Sequence, residues 1–418
     1  MNEKDISAAI LVGIAERGSE LEECSRSLDE LERLLDTAGG TAFAKVMQVK
    51  ESFDPRTCIG KGKVEEIREL CQANDVHLVI FDFELTAAQI RNIESDIDGI
   101  ATVIDRSMLI LDIFALHATS GEGKLQVELA QLRYSAPRIM GKGSELSRQG
   151  GGIGSRGPGE SKLETDRRHL HERIHTLESR LAEMEHNRSV MRQQRDRSGL
   201  AKLALVGYTN AGKSTLLNAL TDAGVLSMDK LFATLDPTTR KMVLPSGESV
   251  LLTDTVGFIR KLPHHLVKAF RSTLDEVKYA DILLVVCDIS DPEVAAQIAV
   301  TTEVIEELGG SGKPIIYVYN KCDRDGVKYA IPKENTVILS AKTGEGIDAL
   351  LSTIERVIQE QKKDVVLAVP YNAQYIVSEL YNTANVKNVE YLDEHIRVSV
   401  MLDEKAYGQY KRYIIDGE

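Results

Sequence analysis

The chain has 418 residues, of which 43% are hydrophobic and 28% are charged, and its formal net charge is −13 at pH 7. This length predicts about two to four domains with enough apolar material for several cores, and the composition is that of a globular protein. The acidic balance argues against indiscriminate nucleic-acid binding.

No signal peptide is evident, and no apolar run approaches the roughly 18 residues that a membrane span needs. We therefore expect a cytoplasmic protein. Its cysteines are scattered, odd in number and without metal-ligand spacing, so we expect reduced structural thiols. They are Cys24, Cys58, Cys71, Cys287 and Cys322.

Residues 1–122 alternate strand-like and helix-like segments, which predicts an amino-terminal α/β domain with a largely parallel sheet. Apolar runs bounded by polar residues mark the strands, and helical spacing marks the connecting segments. The expected strands cover residues 8–14, 43–49, 77–83 and 101–104, and the expected helices cover residues 21–35, 64–72 and 87–97.

Residues 123–200 predict a helical hairpin whose tip is rich in glycine and arginine. Apolar residues recur at helical spacing in both arms, and residues 138–202 hold fourteen Lys or Arg against nine Asp or Glu. Such a basic tip suits salt-sensitive contacts with a phosphate backbone. A flexible linker, or a dimeric coiled coil formed by the second arm, is the alternative. The expected nucleic-acid contacts are Lys142, Arg148 and Arg156; the apolar positions are Leu125, Leu129, Leu132, Leu163, Leu170, Ile174, Leu177, Leu181, Met184 and Met191.

Residues 201–362 predict a nucleotide-binding domain, because residues 207–214 read Gly-Tyr-Thr-Asn-Ala-Gly-Lys-Ser after an apolar strand. In such a loop, backbone N–H groups approach phosphate oxygens, and Lys213 reaches the β- and γ-phosphates as a point charge. Ser214 offers its hydroxyl to Mg²⁺, and the following helix points its positive end at the phosphates.

Three further segments, in order, indicate guanine specificity and a switch. Asp254 can hold Mg²⁺ through water, and the N–H of Gly257 can sense the γ-phosphate. Asp323 can accept hydrogen bonds from the N1–H and the exocyclic amine of guanine, a donor pair that adenine lacks. Residues 340–342 would present a backbone N–H to guanine O6. These motifs together predict a GTP site.

The segment 232–239 lies where a first switch belongs, and three threonines in it compete for Mg²⁺. The residue after Gly257 is Phe258, which cannot orient an attacking water as glutamine does in Ras-like proteins. We therefore expect another group or a partner to supply that orientation.

Four longer strings resemble the GTPase HflX family, in the Obg–HflX group of P-loop GTPases, over nearly the whole chain. They cover residues 59–66, 105–114, 125–132 and 157–168. The resemblance implies binding to the large ribosomal subunit, a hairpin tip near the peptidyl-transferase centre, and separation of stalled subunits. Where relatives usually carry arginine, this chain has His117, which puts in doubt a permanent charge there.

The resemblance also assigns residues. A Thr-Leu-x-Pro pattern selects Thr234 as the Mg²⁺ ligand of the first switch, and relatives with asparagine at the position of Asn210 can hold K⁺ beside the phosphates. The predicted catalytic residues are Lys213, Thr234, Gly257 and Asn210. The predicted GTP-binding residues are Gly207, Tyr208, Thr209, Asn210, Ala211, Gly212, Lys213, Ser214, Thr215, Phe232, Ala233, Thr234, Leu235, Asp236, Asp254, Thr255, Val256, Gly257, Asn320, Lys321, Cys322, Asp323, Ser340, Ala341 and Lys342; the metal ligands are Ser214, Thr234 and, through water, Asp254.

Several alternatives stay open. The chain could be a GTPase of tRNA modification or of ribosome assembly, or a nucleotide-gated scaffold for protein or membrane partners. A second phosphate loop for ATP is conceivable at Gly60, Lys61, Gly62 and Lys63, although a basic strand-to-helix turn explains the same residues. Residues 363–418 predict a small carboxy-terminal α/β domain, and we expect a monomer.

Overall fold

The computed structural model describes residues 8–141, 158–197, 199–221, 231–232, 236–261, 263, 271–324 and 335–415. The predicted tip contacts Lys142, Arg148 and Arg156 lie outside the described residues, as do Ala233, Thr234 and Leu235 of the first switch. The four domain boundaries given above stay predictions.

The amino-terminal region is a four-stranded parallel sheet in the order β2-β1-β3-β4, which confirms the predicted α/β fold. Ile10 and Val12 of β1 face one apolar cluster, and Ala9 and Leu11 face the other, because successive side chains of a strand alternate between faces. The elements are β1 (Ala8–Ala15), α1 (Leu21–Ala38), β2 (Thr41–Val49), α2 (Lys61–Asn74), β3 (Leu78–Phe81), α3 (Ala87–Asp96), β4 (Thr102–Asp105) and α4 (Arg106–His117).

Helix α1 shows how the sequence dictates this packing. It buries Cys24, Leu28, Leu31 and Leu35, which lie three and four residues apart and therefore on one face. The helix ends at Gly39, whose φ of 88° is left-handed and is adopted readily by glycine.

The two arms of the predicted hairpin are α5 (Gly121–Gly141) and α6 (Pro158–Arg197). Three ion pairs join them: Glu122 with Arg188, Glu128 with Arg173, and Arg133 with Glu178. Helix α6 has 40 residues and is therefore about 60 Å long at 1.5 Å per residue, about twice the length of α5 with its 21 residues. Of the predicted apolar positions, Leu129 and Leu177 are buried.

The nucleotide domain is a six-stranded sheet in the order β10-β9-β8-β5-β7-β6, in which only β6 is antiparallel to its neighbour. The loops that follow the parallel strands meet at one edge, where α/β proteins bind ligands. The elements are β5 (Ala201–Gly207), α7 (Lys213–Leu220), β6 (Thr238–Val243), β7 (Ser249–Asp254), α8 (Arg271–Tyr279), β8 (Ile282–Asp288), α9 (Val294–Glu307), β9 (Ile315–Asn320), β10 (Thr336–Ile338) and α10 (Ile347–Gln361).

The carboxy-terminal region is an antiparallel sheet in the order β12-β13-β11-β14 with two short helices, which confirms the small α/β fold. Its elements are β11 (Lys363–Val369), α11 (Tyr375–Thr383), β12 (Asn385–Tyr391), β13 (Ile396–Leu402), α12 (Glu404–Tyr410) and β14 (Ile414–Ile415). Within the described parts of the chain, no helix has the length and apolarity to span a membrane.

Candidate GTP site

The phosphate loop joins the end of β5 to the start of α7, as its sequence requires. Gly207 has a φ of 147°, and a Cβ there would lie 2.2 Å from the carbonyl oxygen of Val286, so only glycine fits. The Nζ of Lys213 donates to the carbonyl oxygens of Gly207 at 3.1 Å and Tyr208 at 2.8 Å. Its ammonium group is therefore held within the loop that receives the phosphates.

Burial lowers the pKa of Lys213 to about 8, and the nearby carboxylate of Asp254 only partly opposes this shift. Only 6% of the lysine is exposed. A buried cation without a full counter-charge is unfavourable, and a bound phosphate supplies the missing negative charge. The buried positive charge of Lys213 therefore favours the binding of a polyanion in this site.

Asn320 connects two loops of the site. Its amide nitrogen donates to the carbonyl oxygen of Ala211 at 2.9 Å, and its amide oxygen accepts from the N–H of Ala341 at 2.9 Å. A Cβ on Gly212 would lie 2.2 Å from the same amide nitrogen. Asn320 therefore holds the phosphate loop and the base-binding loop at a fixed separation.

The residues expected to read guanine lie together at the ends of β9 and β10. Lys321 donates from Nζ to the carbonyl oxygen of Asn210 and to Asp288, both at 2.7 Å. Asp323 is exposed, and a hydrogen bond from the hydroxyl group of Ser340 is the main cause of its lowered pKa. An ionised carboxylate in this place can accept both donors of a guanine edge.

Two of the predicted magnesium ligands, Ser214 and Asp254, are adjacent. The Oγ of Ser214 donates to Oδ2 of Asp254 at 2.6 Å, and Asp254 is completely buried at the end of β7. A hydroxyl group and a carboxylate at one point suit a hard, oxygen-preferring cation, so these residues fit Mg²⁺. When bound, Mg²⁺ would neutralise charge on the β- and γ-phosphates.

The predicted second switch, which is the segment that follows Asp254, lies directly on the phosphate loop. The N–H of Thr209 donates to the carbonyl oxygen of Phe258 at 2.8 Å, and the N–H of Phe258 donates to that of Gly207 at 3.0 Å. A Cβ on Gly257 would lie 2.7 Å from Cα of Thr209, so glycine permits this close approach. Gly257, the predicted γ-phosphate sensor, is therefore in direct contact with the phosphate loop.

Two residues of the first switch contact the amino-terminal half of the chain. The ring of Phe232 packs edge-on against Phe114 of α4, with centroids 4.7 Å apart. Asp236 accepts hydrogen bonds from the backbone N–H groups of Thr119 at 3.1 Å and Ser120 at 2.7 Å, and from both hydroxyl groups. Burial opposes ionisation of Asp236, but these donors outweigh it and lower its pKa. Asp236, expected at the nucleotide, thus lies at the start of α5.

An ion network that the sequence did not reveal lies beneath the second switch. Arg106 is buried and pairs with Glu30 of α1 and with Asp82, which follows β3, the latter at 2.7 Å. The same guanidinium donates to the carbonyl oxygen of Arg260 at 3.1 Å, and the ammonium group of Lys261 contacts Asp82 at 2.7 Å. Residues three and four positions after Gly257 are therefore attached to the amino-terminal domain.

Tyr208 links this network to the phosphate loop. Its hydroxyl group donates to Glu30 and accepts from the N–H of Arg260 at 2.7 Å. Burial and the neighbouring carboxylate raise the pKa of Tyr208, so the hydroxyl group stays protonated. The side chain therefore faces the amino-terminal domain, while its backbone belongs to the phosphate loop. The sequence signal for the network was Arg106 itself, a charge at the head of a mostly apolar helix.

Two other predicted features lie apart from these motifs. Gly60 precedes the first turn of α2, where Lys63 pairs with Glu66 at 2.7 Å. His117 closes α4, with Nδ1 2.9 Å from the carbonyl oxygen of Ile113. Each has a local structural role in the described chain.

A mostly parallel sheet with a phosphate loop, and with the predicted magnesium-binding and guanine-binding residues at the same edge, is the architecture of a P-loop GTPase. Four family profiles match the chain, each over one region. They are GTP-binding GTPase N-terminal (residues 25–115), GTP-binding GTPase Middle Region (117–195), 50S ribosome-binding GTPase (202–321) and HflX C-terminal domain (327–416).

The chain is 47% identical to GTPase HflX of Lacrimispora saccharolytica, over 97% of this chain and 96% of that protein. It is 42% identical to GTPase HflX of Escherichia coli, over 90% of this chain and 89% of that protein. Among solved structures it is similar to a GTP-binding protein of Sulfolobus solfataricus in complex with GDP, at 25% identity and a TM-score of 0.43, over 85% of this chain and 99% of that one. The chain belongs to the GTPase HflX family, and it hydrolyses GTP to GDP and phosphate.

Proposed function

We propose that this GTPase binds the large ribosomal subunit and separates stalled ribosomes, with its hairpin tip against ribosomal RNA near the peptidyl-transferase centre. The observation that carries this proposal is the attachment of the first switch to the base of the stalk. The carboxylate of Asp236 binds Thr119 and Ser120, which immediately precede α5. In this proposal, the segment that responds to the nucleotide is attached directly to the base of the stalk.

The connection is short. Thr234, the proposed Mg²⁺ ligand, precedes Asp236 by two residues, which is at most about 7 Å of extended chain. If Thr234 binds Mg²⁺ in the GTP state, it would pull on Thr119 and Ser120, which precede α5, through Asp236. If Thr234 releases Mg²⁺ after hydrolysis, it would free them. In this proposal, hydrolysis times release from the ribosome.

The stalk has the properties that an RNA probe needs. Its arms are joined by ion pairs within one chain, which supports a monomer. Its tip carries Lys142, Arg148 and Arg156, which we propose contact RNA phosphates. The family profile of residues 202–321 is described as a 50S ribosome-binding GTPase, which supports the same partner. We place the activity in the cytoplasm, where ribosomes work.

Co-sedimentation with purified ribosomal subunits tests the proposal. We expect the protein to sediment with the large subunit in the presence of a non-hydrolysable GTP analogue and about tenfold less with GDP. Substituting Lys142, Arg148 and Arg156 with alanine should weaken sedimentation and its salt dependence, since each phosphate contact releases counterions. The matched control exchanges Lys142→Arg, Arg148→Lys and Arg156→Lys, which keeps the charge.

Three outcomes separate the alternatives. Sedimentation that does not depend on the nucleotide at moderate salt would contradict the coupling. Binding only to immature subunits would indicate ribosome assembly. Binding to transfer RNA without subunits would indicate tRNA modification.

We further propose that Asn210 holds K⁺ beside the phosphates. Its backbone is left-handed, with a φ of 60°, and its carbonyl oxygen accepts from Lys321. The expected result is faster GTP hydrolysis in K⁺ than in Na⁺, and loss of this difference in Asn210→Gly, which keeps the left-handed backbone but removes the amide oxygen. Equal wild-type rates in both salts, with and without large subunits, would refute the K⁺ site.

A further inference from the structure

We propose that Asp288 is a positioning residue for guanine binding, because its carboxylate fixes the ammonium group of Lys321 in the loop that is predicted to read the base. Asp288 is the last residue of β8 and lies outside the nucleotide motifs of the sequence. The inference rests on the predicted role of Lys321, whose aliphatic stem would lie along the face of guanine. It concerns nucleotide affinity alone, so it stands or fails independently of ribosome binding.

The carboxylate of Asp288 has a fixed orientation. Its Oδ1 accepts hydrogen bonds from the N–H of Ser290 at 3.0 Å and from the hydroxyl group of the same residue. Its Oδ2 accepts from Nζ of Lys321 at 2.7 Å, whereas the half-exposed Arg324 lies 3.5 Å from that oxygen. Only 12% of the Asp288 side chain and 16% of the Lys321 side chain are exposed, so water competes little for this ion pair.

The ammonium group of Lys321 is held at a second point, the carbonyl oxygen of Asn210, which also lies at 2.7 Å. The backbone of Lys321 has a φ of 68° and that of Asn210 a φ of 60°, a left-handed conformation that residues with a Cβ adopt rarely. Such a conformation persists where the surrounding contacts hold it. The stem of Lys321 therefore runs from the end of β9 to the phosphate loop, and Asp288 and Asn210 fix its far end.

A nucleotide that fills this site would lie along the Lys321 side chain. Its phosphates would lie in the loop to which Asn210 belongs, and its base would lie at Asp323, two residues after Lys321. The lysine stem connects the same two loops. A lysine that is free to rotate would lose rotamer freedom when a purine packs on its methylene groups. Asp288 removes this cost because it orders the stem before the nucleotide binds.

Asp288→Asn tests the carboxylate with little change of shape. An amide group has one acceptor oxygen, which cannot serve both Ser290 and Lys321. By fluorescent-nucleotide titration of the full chain, we expect the affinities for GTP and GDP to fall by the same factor of about ten, which is the loss of one charge-assisted hydrogen bond. The single-turnover rate of hydrolysis at saturating GTP should stay within about twofold of the wild-type rate, because Asp288 acts on the base and not on the γ-phosphate.

A double-mutant cycle shows whether Asp288 acts through Lys321. Lys321→Met keeps an unbranched apolar stem but removes the ammonium group, and it should itself lower the affinity for both nucleotides. In that background, Asp288→Asn should lower the affinity by less than about twofold more. A full loss in the Lys321→Met background would overturn the proposal, since Asp288 would then act through its own loop. Wild-type affinity in Lys321→Met would overturn it as well, by removing the role of Lys321 on which it rests.

Asp291 is the matched control in the same loop. Its carboxylate accepts from the N–H of Glu293 at 2.9 Å and from the amide group of Gln297 at 2.8 Å, both at the start of α9. Asp291→Asn should leave both affinities within about twofold of the wild-type values. Wild-type affinity in Asp288→Asn, equal losses in Asp288→Asn and Asp291→Asn, or a fall in the single-turnover rate as large as the fall in affinity would each overturn the proposal.

Discussion

Replacing Lys213 by alanine is expected to lower the affinity for GTP about 100-fold or more, as measured by fluorescent-nucleotide titration. The ammonium group lies inside the phosphate loop, with donors directed at the carbonyl oxygens of Gly207 and Tyr208. On binding, those donors turn to the β- and γ-phosphates, and two charge-assisted hydrogen bonds account for a loss of this size.

Lys313 offers a matched control. Its ammonium group also donates to backbone carbonyl oxygens, at 2.6 Å to Lys278, and burial likewise lowers its pKa. It precedes β9, however, and so lies at the sheet edge opposite the phosphate loop. Lys313→Ala should leave the affinity for GTP unchanged. Unchanged affinity in Lys213→Ala, or equal losses in the two variants, would contradict the assignment.

The pH dependence gives a second readout of Lys213. Burial lowers its pKa to about 8 in the free protein, and the phosphates raise it again in the complex because they favour the charged form. GTP binding therefore takes up a proton above about pH 8, and the affinity should fall as the pH rises from about 7.5 to 9. Lys213→Ala should lack this component of the pH dependence.

Replacing Arg106 by leucine is expected to lower the free energy of unfolding of the amino-terminal domain by about 3–5 kcal/mol, as measured by urea titration. The substitution leaves the carboxylates of Glu30 and Asp82 buried without their shared cation. Because Arg106 also binds the carbonyl oxygen of Arg260, the second switch loses one of its attachments.

Arg56 is the matched control for Arg106. Both terminal nitrogens of its guanidinium group donate to the carboxylate of Asp96, but half of its side chain is exposed. Water can replace this partner, so Arg56→Leu should shift the unfolding midpoint far less. Combining Arg106→Leu with Glu30→Gln and Asp82→Asn should recover part of the lost stability, since no buried carboxylate then lacks its cation, and the ammonium group of Lys261 is half exposed to water. Equal destabilisation by Arg56→Leu and Arg106→Leu would contradict this account.

Most strands and helices could be predicted from the sequence because the patterns that indicate them lie in neighbouring residues. The apolar run that ends at Gly207 is β5, and the helix expected after the phosphate loop begins at Lys213. The strand expected at residues 77–83 is shorter, as β3 ends at Phe81. The strand stops there because the carboxylate of Asp82 binds Arg106 in the ion network, and strand propensity does not reveal such a contact.

The placement of individual side chains was less predictable. Asn320 was predicted to bind GTP, and the structure shows in addition that both ends of its amide group hold loops together. Asp236 was expected at the nucleotide, yet its carboxylate contacts the start of the stalk. In each case the motif identifies the loop, and packing against a distant segment decides where the side chain points.

The sequence by itself determined the class of chemistry, because a phosphate cradle and a guanine reader consist of a few residues at fixed spacing. It also determined the two-arm stalk, because helical periodicity is visible in a short window. Only the tertiary structure decided how these parts are connected. Tyr208 contacts Glu30 across 178 positions of the chain, and Asp236 contacts Ser120 across 116. No pattern in neighbouring residues reveals contacts between partners so far apart in the chain, since only folding brings their polar groups together and away from water.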